Sequence, residues 1–169
     1  METVKLYFDY KSPFAYLAAE PAFALPERYA IELRWIPFLL RLKAPGQRSI
    51  YSDWKAQYSY LDARRWANQR GGFFRPYTEA VFARFFRREL EIDLPERVAA
   101  LIEELGHSGA DYGAYAAGDG IAALDACLAE AHADRIFGVP IFVFRDERFW
   151  GYDRMPMLED RLTEHGLRR

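Results

Sequence analysis

The chain opens with a strict alternation of apolar and polar positions. Over Val4–Tyr10 every second side chain is apolar, and Val4, Leu6 and Phe8 fall on one face, which predicts a first β-strand. Ile31–Ile36 alternates in the same way and predicts a second strand. A helical crossover between two strands of one sheet makes them parallel, so this part of the chain predicts a βαβ unit.

Ser12-Pro13 marks the start of the connecting helix, because serine is a favoured N-cap and proline a favoured first helical residue. Pro21 and Pro26 follow within the same stretch. We expect one of them to kink or break the helix, since proline lacks the N–H that a helix interior needs. The residues expected to face the core from this helix are Phe14, Leu17 and Ala18.

The end of the chain returns to a strand period. Pro140–Phe144 and Arg148–Gly151 are rich in aromatic and β-branched residues and flank a short polar turn, which predicts a β-hairpin. A last helix is predicted from Asp153 or Met155 to Glu164. Between the second strand and the hairpin, a helical period predicts helices over about 54–68, 77–89, 94–105 and 120–134.

This order of elements predicts the fold class and its boundaries. A parallel βαβ half followed by an antiparallel ββα half is the layout of a thioredoxin-like α/β fold, here with an α-helical insertion. The predicted thioredoxin-like domain comprises residues 1–37 and 138–169, and residues 38–137 form a loop and the helical insertion.

Composition and charge narrow the function classes. The net charge of −2 and the pI of about 6.0 give no overall basic field to hold nucleic acid. No apolar stretch approaches the ~20 residues that span a bilayer, and Met1 leads straight into a strand, so we expect a cytoplasmic protein without a membrane partner. The three widely separated histidines predict no metal site. The single cysteine, Cys127, lies in an apolar helical run and is expected to be a buried packing residue.

Ser12 is the first residue with candidate chemistry. In Ser12-Pro13-Phe14-Ala15, serine and alanine occupy the places where thioredoxin-like enzymes carry the two cysteines of Cys-x-x-Cys. Disulfide chemistry is therefore absent, and a hydroxyl stands beside the positive end of a helix, which favours an anion by roughly 0.3–1 kcal/mol. A plain N-cap serine is the alternative interpretation.

Gly138-Val139-Pro140 is the second feature, directly before the third strand. Proline costs a ladder hydrogen bond and is typical of strand starts and cis turns, so we predict a cis Val139–Pro140 peptide bond. In a thioredoxin-like fold this loop faces the head of the first helix and presents the backbone of Val139 to a peptide. The two features together favour a peptide-like thiol ligand.

A more specific pattern runs through Phe8–Ala18, Gly138-Val139-Pro140 and Phe149–Arg154, and Lys55-x-x-Tyr58-x-x-x-Asp62 adds to it. Together these stretches resemble the 2-hydroxychromene-2-carboxylate isomerases, which are related to kappa-class glutathione transferases and to DsbA-like proteins. The resemblance implies a thioredoxin-like fold, glutathione as cofactor and a homodimer.

By position, Ser12 resembles the serine that activates the glutathione sulfur. Val139, beside cis Pro140, resembles the residue whose backbone pairs with the cysteinyl unit of glutathione. Lys55 resembles a lysine near the other carboxylate of that ligand. The segment expected to hold the γ-glutamyl end comprises Trp150, Gly151, Tyr152, Asp153 and Arg154.

The insertion is shorter than is usual for the family, and it forms part of the second-substrate pocket there. The family's Gly-Asn loop corresponds to Gly46-Gln47 in a shortened loop here, which leaves Lys43 and Arg48 as candidate anchors for a substrate carboxylate. The resemblance implies an isomerase in which a thiolate adds to a conjugated aromatic 2-oxo acid, a bond rotates and the thiolate is eliminated. A kappa-like glutathione transferase and a non-catalytic glutathione-binding protein are the alternatives. Conjugation consumes glutathione, whereas isomerisation regenerates it.

Overall fold

The computed structural model describes residues 1–38 and 74–169. The candidate residues Lys43, Arg48 and Lys55, like the helix predicted at about 54–68, lie outside the described residues. Internal contacts divide the chain into two compact units, Met1–Leu40 with Glu130–Arg169, and Arg41–Ala129. All the strands described below belong to the first unit.

The sheet has the predicted thioredoxin-like layout. Strands β1 (Glu2–Phe8), β2 (Ile31–Pro37), β3 (Ile141–Phe144) and β4 (Glu147–Trp150) are ordered β2-β1-β3-β4. β1 pairs in parallel with β2 and antiparallel with β3, and β3 and β4 form the hairpin. The predicted fold class is therefore confirmed.

The described helices follow the predicted order, with one addition. Their bounds are α1 Pro13–Arg28, α2 Phe74–Phe86, α3 Pro95–Glu104, α4 Gly109–Ala117, α5 Asp119–Ala133 and α6 Met155–Glu164, and a 3₁₀ turn over Tyr152–Arg154 precedes α6. Within the described part of the chain, no helix is long and apolar enough to cross a membrane.

The helix α4 was not predicted from the sequence. Its residues are mostly glycine, alanine and tyrosine, so it lacks the row of large apolar side chains that marks a helical period. A local signal was present at its start, because Ser108 is its N-cap and accepts a hydrogen bond from the Asp111 N–H at 3.1 Å. Capping residues can thus identify a helix whose hydrophobic pattern is weak.

The core face of α1 differs from the expected one. Phe14 and Leu17 are 61% and 56% exposed, and only Ala18 of the three expected core residues is buried. The buried face consists of Ala15, Ala18, Ala19, Ala22 and Leu25, a stripe with helical i, i+3, i+4, i+7 spacing. The prediction was right for Ala18 and wrong for Phe14 and Leu17, because the buried stripe is built largely from alanine rather than from large apolar side chains.

Of the kink or break expected at Pro21 or Pro26, a break does not occur, since α1 continues through both residues to Arg28. Each proline removes one N–H from the helical ladder. Ala22 and Leu25 lie next to them and are fully buried, so tertiary packing holds the backbone helical where local propensity opposes it.

Cys127 lies on α5 and is buried, as expected for a packing thiol.

A charged cluster joins β1 and β2 to the end of α5, on side chains of the first unit. The Asp134 carboxylate accepts from Lys5 Nζ at 2.7 Å and from the Tyr7 hydroxyl at 2.6 Å. Glu130 accepts from Lys5 at 3.0 Å and from both terminal nitrogens of Arg34, at 2.7 and 2.6 Å. The two carboxylates thus accept hydrogen bonds from the lysine, the tyrosine and the arginine of the adjacent strands.

The cluster shifts the pKa of its members. Burial raises the pKa of the Asp134 carboxyl, but the hydrogen bonds from Lys5 and Tyr7 outweigh it and hold that pKa below its ordinary value. Glu130 has a lowered pKa through the same balance of burial against Arg34 and Lys5. Burial lowers the pKa of Lys5, and its two carboxylate partners raise it further than burial lowers it.

These shifts predict a pH dependence of stability. The two carboxylates contribute at a pH above their ordinary pKa values of 3.8 and 4.5, and this contribution is lost as the pH falls through their lowered values. The contribution of Lys5 is fully present below pH 10.5, the ordinary pKa of lysine, and is lost as the pH rises through its raised pKa.

Asp134→Asn should therefore lower the free energy of unfolding by about 1–3 kcal/mol at neutral pH, and the difference from the parent should shrink in acid.

Urea unfolding of parent and variant from about pH 7 to pH 2 measures this difference. The control Asp160→Asn makes the same change of formal charge on an exposed part of α6 and should stay close to the parent throughout. A difference between Asp134→Asn and the parent that is independent of pH would contradict the prediction.

Candidate functional site

Ser12 is fixed at the head of α1 by the turn that leaves β1. Its backbone N–H donates to the Asp9 carbonyl at 3.0 Å, and the Lys11 N–H donates to the Asp9 carboxylate at 2.9 Å. Ser12 itself is the N-cap, with extended backbone angles (φ −87°, ψ 117°), and its Oγ accepts from the Ala15 N–H at 3.2 Å. The first turn of α1 contains no acidic residue, so its N-terminal dipole is not offset there.

The loop before β3 lies against this serine. The Val139–Pro140 peptide bond is cis, which confirms the sequence prediction. The Ser12 hydroxyl donates to the Val139 carbonyl over a long 3.4 Å. Within residues 1–38 and 74–169, the Val139 N–H donates to no acceptor. The structure thus brings together the two features that the sequence marked, although they are 127 residues apart.

Gly138 makes room for an aromatic side chain beside this loop. A Cβ at Gly138 would lie 2.8 Å from Trp150 Nε1, so the indole occupies the space that any other residue would fill. The Trp150 ring meets Phe137 edge to face, with ring centroids 5.1 Å apart. Both aromatic side chains are more than half exposed, at 56% and 63%. They form an apolar rim at the cis-proline loop.

Gly151 links the loop to the predicted γ-glutamyl segment. Its N–H donates to the Pro140 carbonyl at 2.9 Å, and its backbone angles (φ 105°, ψ 157°) lie in a region that is essentially restricted to glycine. A Cβ there would meet Asp153 Oδ1 at 2.5 Å. Glycine therefore lets the Asp153 carboxylate approach the backbone beside Pro140.

Asp153 and Arg154 form an exposed ion pair, with Asp153 Oδ2 at 2.6 Å from Arg154 Nη1. Their side chains remain 70% and 51% exposed, so the pair contributes little to stability and stays accessible to a ligand. Tyr152 is also exposed, and the 3₁₀ turn that contains these three residues contacts α1. These side chains are close to the loop, whereas Lys43, Arg48 and Lys55 lie outside the described residues.

Sequence reasoning missed two parts of this geometry. The exposed apolar side chains of Phe14 and Phe137 were not recognised as surface residues near Ser12 and Gly138 in the chain. The glycine-only conformation of Gly151 was also missed, although a glycine between a strand and a helix start is a local signal for a positive φ.

The arrangement offers specific groups to a ligand. A hydroxyl that can donate, a helix N-terminus and a backbone N–H favour a peptide-like anion near Ser12. A thiol at this place would have its ionised form stabilised, because helix N-termini lower thiol pKa values. Neither residue 12 nor residue 15 is a cysteine, so the site itself provides no sulfur.

The β2-β1-β3-β4 sheet, the cis-proline loop and a capping serine in place of a redox cysteine define a thioredoxin-fold protein without a catalytic dithiol. A family described as the DSBA-like thioredoxin domain matches residues 74–163, more than half of the chain. The chain belongs to this family.

Known proteins confirm the resemblance stated from the sequence. The chain is 28% identical to a 2-hydroxychromene-2-carboxylate isomerase of Pseudomonas putida over 190 aligned positions, which cover 92% of each protein. It is also 28% identical to the enzyme of that name from Pseudomonas sp. (strain C18), over 93% of this chain and 88% of that protein. A solved structure of selenomethionine 2-hydroxychromene-2-carboxylate isomerase is 26% identical, with a TM-score of 0.68 over 96% of this chain and 95% of that one.

Gly151→Ala should destabilise the protein by about 1–3 kcal/mol, because a side chain forces the backbone out of a glycine-only conformation and meets Asp153. Chemical denaturation measures the loss. The control Gly166→Ala also places alanine at a positive φ, of 68°, but its Cβ meets no atom within 4 Å. A loss at Gly151 no larger than the loss at Gly166 would contradict the close approach of Asp153.

Proposed function

We propose that this protein is a glutathione-dependent isomerase, and that its substrate is a conjugated aromatic 2-oxo acid of the 2-hydroxychromene-2-carboxylate type. The observation that carries the proposal is the Ser12 hydroxyl, held at the head of α1 and directed at the carbonyl before cis Pro140. The isomerase names of the two Pseudomonas relatives support the reaction class.

The residues present fit glutathione. A cysteinyl unit carries a backbone that can pair with the carbonyl of Val139 and with its N–H, which donates to no acceptor among the described residues, and a thiol that can reach Ser12. An α-ammonium group suits the exposed Asp153 carboxylate, and a carboxylate suits Arg154. The hydrogen bond from the Gly151 N–H to the Pro140 carbonyl supports one site for both ends of the ligand, because it ties the segment of Asp153 and Arg154 to the loop of Val139.

Glutathione, when bound, supplies a thiolate that adds to the conjugated substrate, permits rotation about the former double bond and is then eliminated. Ser12 is a donor rather than the nucleophile. Its hydroxyl gives up the long contact with the Val139 carbonyl and donates to the sulfur, while Oγ still accepts from the Ala15 N–H. The N-terminus of α1 adds its dipole to the stabilisation of the anion.

Phe14, Phe137 and Trp150 offer apolar surface to the second substrate near the residues that hold the thiol. An aromatic substrate gains by covering such surface.

The test is the conversion of 2-hydroxychromene-2-carboxylate, followed by ultraviolet absorbance, with free thiol counted before and after. We expect conversion that requires glutathione and leaves its concentration unchanged. Loss of thiol in proportion to product would instead indicate a glutathione transferase. Binding of glutathione without conversion of this or related electrophiles would indicate a non-catalytic glutathione-binding protein.

Ser12→Ala should cost about 0.5–2 kcal/mol of stability as a lost helix cap, and should also lower turnover at neutral pH, because the bound thiol loses a donor that stabilises its ionised form. Turnover should partly recover as the pH rises and the thiolate forms unaided. Turnover against pH and the ultraviolet absorbance of bound thiolate measure the effect.

The matched control is Ser108→Ala, which removes the same type of cap from α4 in the other unit. It should lose similar stability and retain the thiolate absorbance of the parent. Ser12→Thr keeps a hydroxyl but adds a methyl group, so it should preserve stability better than activity. If Ser12→Ala binds glutathione with the thiolate titration of the parent, Ser12 is only a helix cap.

Asp153→Ala should weaken glutathione binding by about tenfold, or about 1.4 kcal/mol, because it removes the carboxylate proposed to hold the α-ammonium group. Stability should change by less than about 0.5 kcal/mol, since the side chain is exposed and its ion pair with Arg154 is screened. Calorimetric titration gives the affinity. The control Asp160→Ala makes the same charge change at an exposed position of α6 and should keep the glutathione affinity of the parent. Equal weakening of glutathione binding by both variants would show a general charge effect and contradict the role of Asp153.

A further inference from the structure

Asp134 stands at the start of the connection that carries Val139 and Pro140. It directly follows α5, and its side chain is held by Lys5 and Tyr7 of β1. Its backbone carbonyl accepts from Arg148 of β4 at 3.3 Å. One residue is therefore attached to two strands of the sheet at the point where the chain leaves the helix.

The chain turns sharply after Asp134. The Arg135 N–H donates to the His132 carbonyl at 3.1 Å and the Ile136 N–H to the Ala131 carbonyl at 2.9 Å, the paired bonds of a Schellman helix end. Arg135 takes the left-handed conformation that this motif requires, with φ 54°. Only Phe137 and Gly138 then separate Ile136 from Val139, so a short backbone segment links the helix end to the site.

Tyr7 holds both ends of this connection. Its hydroxyl donates to Asp134 at 2.6 Å, and its backbone lies opposite Ile141 in the β1–β3 pairing. Ile141 is the residue after Pro140. Tyr7 is fully buried, so its ring does not leave this place without opening the structure. Asp134–Ile141 is thus a loop closed at its two ends on one residue of the central strand.

We propose that Tyr7 and Asp134 are positioning residues of the thiol site, whose hydrogen bond closes the Asp134–Ile141 loop on β1 and so fixes the Val139 backbone opposite Ser12. This role rests on the proposed glutathione function, because it is glutathione that Ser12 and Val139 are proposed to hold. Neither Tyr7 nor Asp134 contacts the ligand in this proposal. They act indirectly, by fixing the position of the Val139 backbone.

Tyr7→Phe is the sharper variant, since it removes one hydroxyl and leaves the charges of Lys5 and Asp134 intact. Tyr29→Phe is its matched control, because Tyr29 is also buried and its hydroxyl also donates to a carboxylate, Glu159, at 3.4 Å. Asp134→Asn is the second variant, and Glu130→Gln is its control. Glu130 shares Lys5 with Asp134 but lies one turn earlier in α5, within the helix rather than on the loop.

Four quantities are measured on each folded variant: glutathione affinity by calorimetry, thiolate absorbance of the bound ligand at fixed neutral pH, the free energy of unfolding, and amide hydrogen exchange over residues 136–139. Misplacement of an active-site group by about 1 Å can lower a reaction rate by up to about a hundredfold, and a smaller effect is expected on binding. We expect Tyr7→Phe and Asp134→Asn to weaken glutathione binding by about three- to thirtyfold, with less bound thiolate and faster exchange over these residues. The controls should keep the affinity of the parent within about twofold, whatever stability they lose.

The outcomes separate this role from the proposed function. If the parent binds glutathione and Tyr7→Phe binds it with unchanged affinity and thiolate absorbance, the positioning role is wrong and the proposed function stands. If all four variants lose affinity in proportion to their loss of stability, the cluster is only structural and the positioning role is again wrong. If the parent binds no glutathione, the proposed function fails, and the positioning role fails with it.

Discussion

The antiparallel pairing of β1 with β3 is the constraint on which the candidate site depends. In this pairing the carboxyl end of β1 meets the amino end of β3, with Tyr7 opposite Ile141. The segment that leaves β1 therefore lies beside the segment that enters β3. The first carries Ser12 and the second carries Val139 and Pro140, so strand register alone brings a helix cap and a cis-proline loop to one edge of the sheet.

The Ser12 hydroxyl has both a structural contact and an available donor. Its oxygen caps α1 by accepting from the Ala15 N–H, while its proton is directed to a carbonyl 3.4 Å away, beyond the usual length of such a hydrogen bond. Because the cap uses the acceptor side of the hydroxyl, a ligand can take the proton without uncapping the helix. This explains why residue type alone could not separate a plain capping serine from a thiol-activating one, since both require the same atom in the same place.

The sequence predicted what depends on local pattern. Strand alternation located β1 and β2, and Gly138-Val139-Pro140 before an apolar run predicted the cis peptide bond that the structure contains. Errors arose where packing overrode local rules, as in α1, whose alanine stripe and flanking burial carry the helix through two prolines. The bonds from Lys5 and Tyr7 to Asp134 span 129 and 127 residues, so a local pattern gave no sign of them. The assigned ligand roles of Ser12, Val139 and Asp153 stay predictions.

Charge is neutralised at one end of the Asp134–Ile141 loop, around Asp134, but not at the helix N-terminus beside its other end, around Ser12. At Asp134 and Glu130 the carboxylates are matched by Lys5, Tyr7 and Arg34, which outweigh the cost of partial burial and lower both carboxyl pKa values. At Ser12 the first turn of α1 contains no acidic residue, so no carboxylate in that turn offsets the positive end of the helix dipole. A loop anchored by paired charges thus borders a helix N-terminus whose own first turn carries no acidic side chain, the nearby Asp9 carboxylate lying in the preceding turn. That division gives the cluster a rigid structural role and leaves electrostatic stabilisation available where a thiolate is proposed to bind.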